Sequence, residues 1–342
     1  MHRTSSRQEE ARAPSEPGPS GSSAGGSSAG GGSPADSSGS AGGVAPLRIL
    51  LCFAGAAETE HALPRQLRGA GHLVTAIDTR LGGAAHDVQR GGLGRRLEQA
   101  VLRGDFDVVF LAPPCSSFSV RHPVRLRSDA RPDGVQPLPR GWEAYVAKHN
   151  ALADFTADMV TACQLAQVPC AVENPASRSD RGSPAYWEAH ADAGSIWKMP
   201  RLSRALQAAD ARRHTFAQCA PAIGGKAQKY TTIAATGALR SELTELDSCR
   251  CEHGGRGHAE RLEGVDASGR SRATAAAAYP RGLNIILAGA IIRAGLRARA
   301  LRAAAQEDDA WCVAPAQGSG RLADGPALCP ALAAACMAAS EL

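Results

Sequence analysis

The chain of 342 residues carries a net charge of +5, and 44% of its residues are hydrophobic. That length allows one sizeable core, or one core with a small appended unit. No apolar run reaches the roughly 18–20 residues of a membrane helix, and the N-terminus lacks the apolar segment of a secretory signal. We therefore expect an intracellular protein with no membrane partner. Its ten cysteines, which show no regular framework, indicate free thiols in a reducing compartment.

The first part of the chain predicts a disordered N-terminal leader followed by a nucleotide-binding α/β unit. Residues 1–45 are rich in Ser, Gly, Ala and Pro, a composition typical of disorder. Residues 47–53 then predict a strand, residues 54–57 a turn, and residues 58–68 a helix. The next strand ends in Asp78. A strand, a glycine turn, a helix and a second strand ending in an acid form the pattern of mononucleotide-binding units.

Two later strands each end at a reactive side chain. The apolar run from Asp107 stops at Pro113 and Pro114, which cannot continue a sheet, and Cys115 follows. A second apolar run from Val168 ends in Glu173. Because open α/β sheets bind ligands outside the carboxyl ends of their strands, the thiol and the carboxylate are candidate site residues.

The rest of the chain alternates irregular and regular segments. A basic, proline-rich loop over 120–142 predicts either a functional lid or a disordered segment. Residues 143–167 predict an amphipathic helix, residues 213–219 and 230–236 a strand pair, and residues 283–301 a helix. From residue 303 the composition predicts a poorly ordered tail.

Cysteine and histidine cluster near residue 250. Cys249, Cys251, His253 and His258 could bind zinc, with Cys219 completing a set. Structural zinc usually uses two well-separated ligand pairs, so the alternative is a hydrogen-bonding loop rich in thiols and imidazoles. On the sequence alone we assign no metal.

The two strand-end motifs carry a family resemblance. Pro113-Pro114-Cys115 with Ser117-Phe118-Ser119 resembles the Pro-Pro-Cys loop of cytosine-5 DNA methyltransferases, and Glu173-Asn174-Pro175 resembles their Glu-Asn-Val element. The resemblance implies a Rossmann-like S-adenosylmethionine methyltransferase fold of the α/β class. It implies a catalytic domain over 46–197, a reduced target-recognition region over 198–280, a helix over 281–302 that packs back on the catalytic domain, and a low-complexity tail over 303–342.

The same resemblance assigns residues to the cofactor, S-adenosylmethionine. Phe53 and Gly55 correspond to the family's Phe-x-Gly-x-Gly turn, Asp78 to its ribose-binding acid, and Asp87 to the acid that meets the adenine amino group. Pro113 belongs to the same assignment. The turn departs from the family because its second glycine is replaced by Ala57 or a neighbour, which would crowd the methionine end of the cofactor.

The resemblance also assigns a mechanism. Cys115 is the nucleophile that adds to carbon 6 of cytosine, and Glu173 hydrogen-bonds or protonates ring nitrogen 3. Arg121 and Arg125 are candidates for the electropositive setting that ionises the thiol. Lys229 matches an arginine of the family's Gln-x-Arg-x-Arg element only in part, and an ordinary solvated lysine is the alternative.

We therefore expect a monomeric DNA cytosine-5 methyltransferase, with a nuclear location if DNA is its substrate. The same chemistry on RNA is a close alternative. A non-catalytic nucleic-acid-binding relative, or a decayed mobile-element copy, is an alternative of a different class, suggested by the altered glycine turn.

Overall fold

The computed structural model describes residues 45–55, 61–120, 122, 124–254, 257–262, 264, 267, 272 and 278–313, with side chains as far as residue 306. The predicted leader, the position of Ala57 and most of the predicted tail lie outside the described residues. In the described part of the chain, no helix combines the length and the apolar character that crossing a bilayer requires.

The described strands form a six-stranded sheet in the order β2-β1-β3-β4-β6-β5. The strands are β1 (Arg48–Cys52), β2 (Leu73–Ile77), β3 (Val108–Leu111), β4 (Cys170–Pro175), β5 (Arg212–Ala217) and β6 (Tyr230–Ala235). All pairs are parallel except those of β6, which runs antiparallel to both β4 and β5. The expected α/β class is therefore confirmed, and the strand pair predicted at 213–219 and 230–236 is present.

Seven α-helices surround the sheet in the described residues. They are α1 (Leu63–Gly69), α2 (Thr79–Gly82), α3 (Leu93–Leu102), α4 (Glu143–Leu165), α5 (Pro200–Ala208), α6 (Leu239–Glu242) and α7 (Arg281–Val313). One core packs α3, α4 and α5 against one face of the sheet, and a second core packs α1, α6 and α7 against the other. Successive residues of β1 and β3 alternate between these two cores, as the pleat of a strand requires. These strands are buried on both faces, which explains their continuous apolar runs.

Helix α7 is tied to the start of the central strand by a buried ionic group. The carboxylate of Asp107 accepts hydrogen bonds from Arg299 (2.6 Å), Arg302 (3.0 Å) and the backbone N–H of Arg48 (2.8 Å). Gly295 of α7 lies so close to the sheet that a Cβ there would come within 2.8 Å of Val108 and 2.9 Å of Leu47. The last helix therefore packs directly on the first and third strands.

One helix end differs from the expectation. Helix α7 continues to Val313, because the alanine-rich stretch after residue 303 has high intrinsic helix propensity. Strands β5 and β6 from the 198–280 segment belong to the six-stranded sheet, and α5 packs against α4. Their apolar positions face the two cores, and residues 231–235 of β6 pair with β4.

Candidate active site

The turn after β1 lies where the strand order changes direction, between β1 and β3. Phe53 and Gly55 both have positive φ angles, 63° and 78°, so the backbone turns sharply at the end of the strand. The carboxylate of Asp78, at the end of β2, accepts a hydrogen bond from the Gly55 N–H (2.9 Å) and another from the Arg80 N–H (2.8 Å). Asp78 thus fixes the turn and caps α2.

The other residues assigned to the cofactor are Pro113, Asp87 and Phe53, and each lies in a different loop. Pro113 lies two residues after the end of β3, which pairs with β1, and its carbonyl accepts a hydrogen bond from the side-chain amide of Asn174 (2.8 Å). Asp87 follows the 3-10 turn Gly83–His86, and its carboxylate lies 3.2 Å from the guanidinium of Arg90. The Phe53 ring packs edge-on against Phe155 of α4, with 6.0 Å between ring centres.

The loop that carries Cys115 is held by α4 and by one buried arginine. Cys115 directly precedes the 3-10 turn Ser116–Phe118. The Ser116 hydroxyl accepts a hydrogen bond from Tyr145 (2.6 Å) and lies 3.0 Å from Nε2 of His149. Arg127 donates to the Ser117 hydroxyl (3.2 Å) and lies over the Phe118 ring, 3.9 Å from its centre. Every residue of the turn is therefore fixed, and so is the position of the cysteine before it.

Glu173 and Asn174 lie in the last three residues of β4, beside the Cys115 loop. Asn174 is fully buried, and its amide N–H bonds to Pro113 and joins the ends of β3 and β4. Its Oδ1 is buried with no hydrogen-bond partner among the described residues. Glu173 is also buried, and its Oε2 accepts a hydrogen bond from the Tyr279 hydroxyl (2.8 Å). The two predicted strand-end motifs are thus in direct contact.

Cys115, Glu173, Lys229 and Tyr279 share one electrostatic environment. Burial raises the pKa of the Cys115 thiol, the charge of Glu173 raises it further, and the cation of Lys229 lowers it. Burial likewise raises the pKa of Glu173, while Lys229 and the Tyr279 hydrogen bond oppose that rise. Burial and the neighbouring Glu173 raise the pKa of Tyr279 well above its ordinary value. The three predicted catalytic residues are therefore brought together.

Sequence reasoning missed Tyr279 and misjudged the setting of the thiol. Tyr279 lies 106 residues after Glu173, and the only local signal was its place just before a predicted helix. Arg125, expected near the thiol, instead pairs with Asp192 at 3.0 Å, and Arg121 lies outside the described residues. The cation that acts on Cys115 is Lys229, delivered by the β5–β6 connection.

A second cluster of reactive side chains lies apart from these residues in sequence. One ligand atom from each of Cys219, Cys251, His253 and His258 lies within 4.8 Å of all the others. Cys249, from the same predicted group, is not a member, because its thiol is buried in the α7-side core and donates to the carbonyl of Glu245 (3.6 Å).

Comparison with known proteins adds no family to these observations. The chain matches no protein-family model, and it matches no curated protein.

Proposed function

We propose that this chain transfers a methyl group from S-adenosylmethionine to carbon 5 of cytosine in DNA, through a covalent bond to Cys115. One observation carries the proposal: two adjacent parallel strands, joined by the hydrogen bond from Asn174 to Pro113, bring the Cys115 loop beside Glu173, whose charge raises the pKa of the thiol. A thiol and a carboxyl group in this arrangement suit an attack on a pyrimidine ring.

Cys115 supplies the nucleophile. Its thiolate would form a bond to carbon 6 of the ring, the 5,6 double bond would shift to the 4,5 position while nitrogen 3 takes up a proton, and carbon 5 would become nucleophilic. Carbon 5 would then take the methyl group, with S-adenosylhomocysteine as the leaving group. A base would remove the proton of carbon 5, the 5,6 double bond would re-form and the bond from carbon 6 to sulfur would break. The thiolate must exist for the first step, and Lys229 is the cation that favours it.

Glu173 supplies the proton, or the hydrogen bond, that the ring needs at nitrogen 3. Burial raises the pKa of this carboxyl group, which favours the protonated form that a general acid needs, and such help is worth roughly 10²–10⁴-fold in rate. The Tyr279 hydroxyl holds Oε2 of this carboxyl group in place. The unpartnered Oδ1 of Asn174 is a buried acceptor that an N–H group of a bound molecule would satisfy.

The turn after β1 fits an S-adenosylmethionine site. It lies at the change of strand direction, where open α/β sheets bind their ligands. Each carboxylate oxygen of Asp78 accepts one backbone N–H, so lone pairs remain for ribose hydroxyl groups. S-adenosylmethionine, when bound, supplies the electrophilic methyl group. The Gly55 turn and Asp78 would bind it, and Pro113 would lie between it and the Cys115 loop.

Trapping with a fluorinated base tests this proposal. DNA that contains 5-fluorocytosine should form a covalent adduct with the full chain in the presence of S-adenosylmethionine, because fluorine at carbon 5 cannot leave as a proton does. Cys115→Ala should form none, and Cys249→Ser, which changes a buried cysteine outside the loop, should form as much as the wild type. RNA with the same base serves as the second substrate. An adduct with RNA alone would assign the chemistry to RNA, and no adduct with either would indicate a non-catalytic relative.

A further inference from the structure

The geometry points to a structural zinc site formed by Cys219, Cys251, His253 and His258. Their ligand atoms converge from two segments: Cys219 follows β5, and the other three follow the 3-10 turn Thr244–Ser248. The site stands on its own geometry and does not depend on the proposed methyl transfer.

The distances match tetrahedral coordination. Zinc binds sulfur at about 2.3 Å and imidazole nitrogen at about 2.0–2.1 Å, so neighbouring ligand atoms of a tetrahedron lie about 3.3–3.8 Å apart. The Sγ atom of Cys251 lies 3.6 Å from Nδ1 of His253 and 3.2 Å from Nε2 of His258. All four ligand atoms lie within 4.8 Å of one another, so a small contraction around one ion completes the geometry.

The ligand set selects the metal and its role. Two cysteines and two histidines are a ligand set of structural zinc, whereas calcium and magnesium prefer oxygen. Four protein ligands leave no open position for water or substrate, so the site is structural. Binding releases the two thiol protons, and two thiolates with one Zn²⁺ give a neutral centre, which suits the buried position of Cys219.

A hydrogen-bonding loop accounts less well for the same arrangement. A thiol is a weak donor and a weak acceptor, so bonds from Cys251 to two imidazoles stabilise little. The two histidine rings also lie 4.3 Å apart at their centres, beside the same thiol. A cation between the four ligand atoms turns these contacts into bonds.

Such a zinc would fix the connection that carries Lys229. The backbone already joins the two segments, because Ala217 donates to the Cys249 carbonyl (3.0 Å) and Gln218 donates to the Lys229 carbonyl (2.8 Å). Cys219 is next to Gln218 in the chain, so the metal would hold the loop that carries Lys229, the cation that lowers the pKa of the Cys115 thiol.

Metal analysis of the full chain tests the inference. Protein purified without added chelator and dialysed against metal-free buffer should retain one zinc ion per chain. Inductively coupled plasma mass spectrometry measures this ratio. Growth with cobalt in place of zinc should give the intense visible bands of tetrahedral Co²⁺, together with a thiolate-to-cobalt charge-transfer band in the near ultraviolet. Wild-type protein without bound zinc, or with the weak spectrum of octahedral cobalt, would overturn the inference.

Variants locate the metal. Cys251→Ser and His258→Ala should lose the zinc, whereas Cys249→Ser should keep it, since that thiol faces the core two residues from a ligand. Equal loss from Cys249→Ser and Cys251→Ser would also overturn the assignment. If a ligand variant fails to fold, the cobalt spectrum of the wild-type chain still decides the coordination.

Discussion

Cys115 is influenced in opposite directions by two neighbouring residues. Burial and the charge of Glu173 raise the pKa of its thiol, and the charge of Lys229 lowers it. A raised pKa leaves only a small fraction of thiolate near neutral pH, and that fraction grows as the pH rises. The reactivity of this one sulfur atom therefore depends on which of the two neighbours carries its charge.

Substitution of either neighbour should shift the pH dependence of the alkylation rate of Cys115. We expect Lys229→Met to shift the midpoint of its pH dependence upward, because a stabilising cation is lost, and Glu173→Gln to shift it downward, because a repelling anion is lost. The measurement is the rate of modification by iodoacetamide, followed by mass spectrometry of the peptide that contains Cys115.

Lys226→Met is the matched control, because this lysine of the same loop is exposed and lies near Glu260. Its midpoint should equal that of the wild type. Shifts of the same sign in the Lys229 and Glu173 variants would contradict the electrostatic arrangement.

Side chains at strand ends were predictable from the sequence, but their partners were not. Cys115 and Glu173 each follow an apolar run, and a parallel sheet brings the ends of such runs together. Tyr279 has no comparable signal, because its contact with Glu173 depends on how α7 packs. Arg125 shows the opposite error: it is near Cys115 in sequence, but its guanidinium pairs with Asp192.

At the scale of elements, one amide joins two strand ends. The side-chain amide of Asn174, which is fully buried, donates a hydrogen bond to the Pro113 carbonyl. Asn174→Ala should lower the free energy of unfolding by about 1–3 kcal/mol, because the carbonyl is left buried without a partner. Urea denaturation measures the difference.

The control for this change is Gln164→Ala. Gln164 also donates from a side-chain amide to a backbone carbonyl, that of Ala208 (2.8 Å), but on the exposed surface. Water replaces that bond, so stability should change by less than about 0.5 kcal/mol. If both variants lost the same free energy of unfolding, the buried hydrogen bond between the strand ends would stabilise the fold no more than an exposed one.

Two glycines of α7 should respond oppositely to alanine. A Cβ at Gly282 would meet the backbone carbonyls of Ala222 and Ile223, the latter at 2.7 Å, and neither can move alone. A Cβ at Gly289 would meet only the flexible end of Arg293, at 3.1 Å. We expect Gly282→Ala to lower the free energy of unfolding by about 1–3 kcal/mol, and Gly289→Ala to raise it by up to about 1 kcal/mol.

Thermal unfolding of the two variants checks this pair. A stable Gly282→Ala protein would show that α7 can move away from the loop after β5. A loss at Gly289 would show that the helix is packed on that side as well. Either result would contradict the position of α7 described above.

The periodicity of apolar residues predicted which segments are helices and which are strands. It was a poorer guide to short elements and to how the strands pair. Helix α4 begins and ends within two residues of the prediction, because apolar spacing and flanking residues mark it. Helix α2 was missed, since its four residues are stabilised by the Asp78 cap rather than by a pattern. The 198–280 segment was assigned to a recognition region through a resemblance, and pairing between β4 and β6 is not visible in a local pattern.

At the scale of the whole molecule, stability should depend on the charge of one buried histidine. Nδ1 of His149 donates to the Tyr145 carbonyl (2.8 Å), so Nε2 is the acceptor that faces the Ser116 hydroxyl. Burial, with smaller contributions from nearby cations, lowers the pKa of His149 to about 4. The folded protein thus keeps this ring neutral at a pH where the unfolded chain has already protonated it.

The free energy of unfolding should therefore fall on acidification. Above about pH 6.5 the ring is neutral in both states and has no effect on the pH dependence. Between about pH 6.5 and pH 4 only the unfolded state binds the proton, and this histidine should cost about 2–3 kcal/mol by pH 4.5. His149→Gln should remove that part of the acid sensitivity, measured as the difference between urea unfolding at pH 7.5 and at pH 4.5. An unchanged difference in the variant would show that other groups account for the acid sensitivity.

The bond between Tyr279 and Glu173 has a consequence for protein synthesis. The hydroxyl that holds the acid emerges from the ribosome 106 residues after the acid itself, a delay of roughly 5–20 s at ordinary elongation rates. Until then the nascent chain has a cysteine and a glutamate but no group to orient the carboxyl. A chain that ends before residue 279 also lacks helix α7, so it has neither the hydroxyl that orients this carboxyl group nor the helix that covers one face of the sheet.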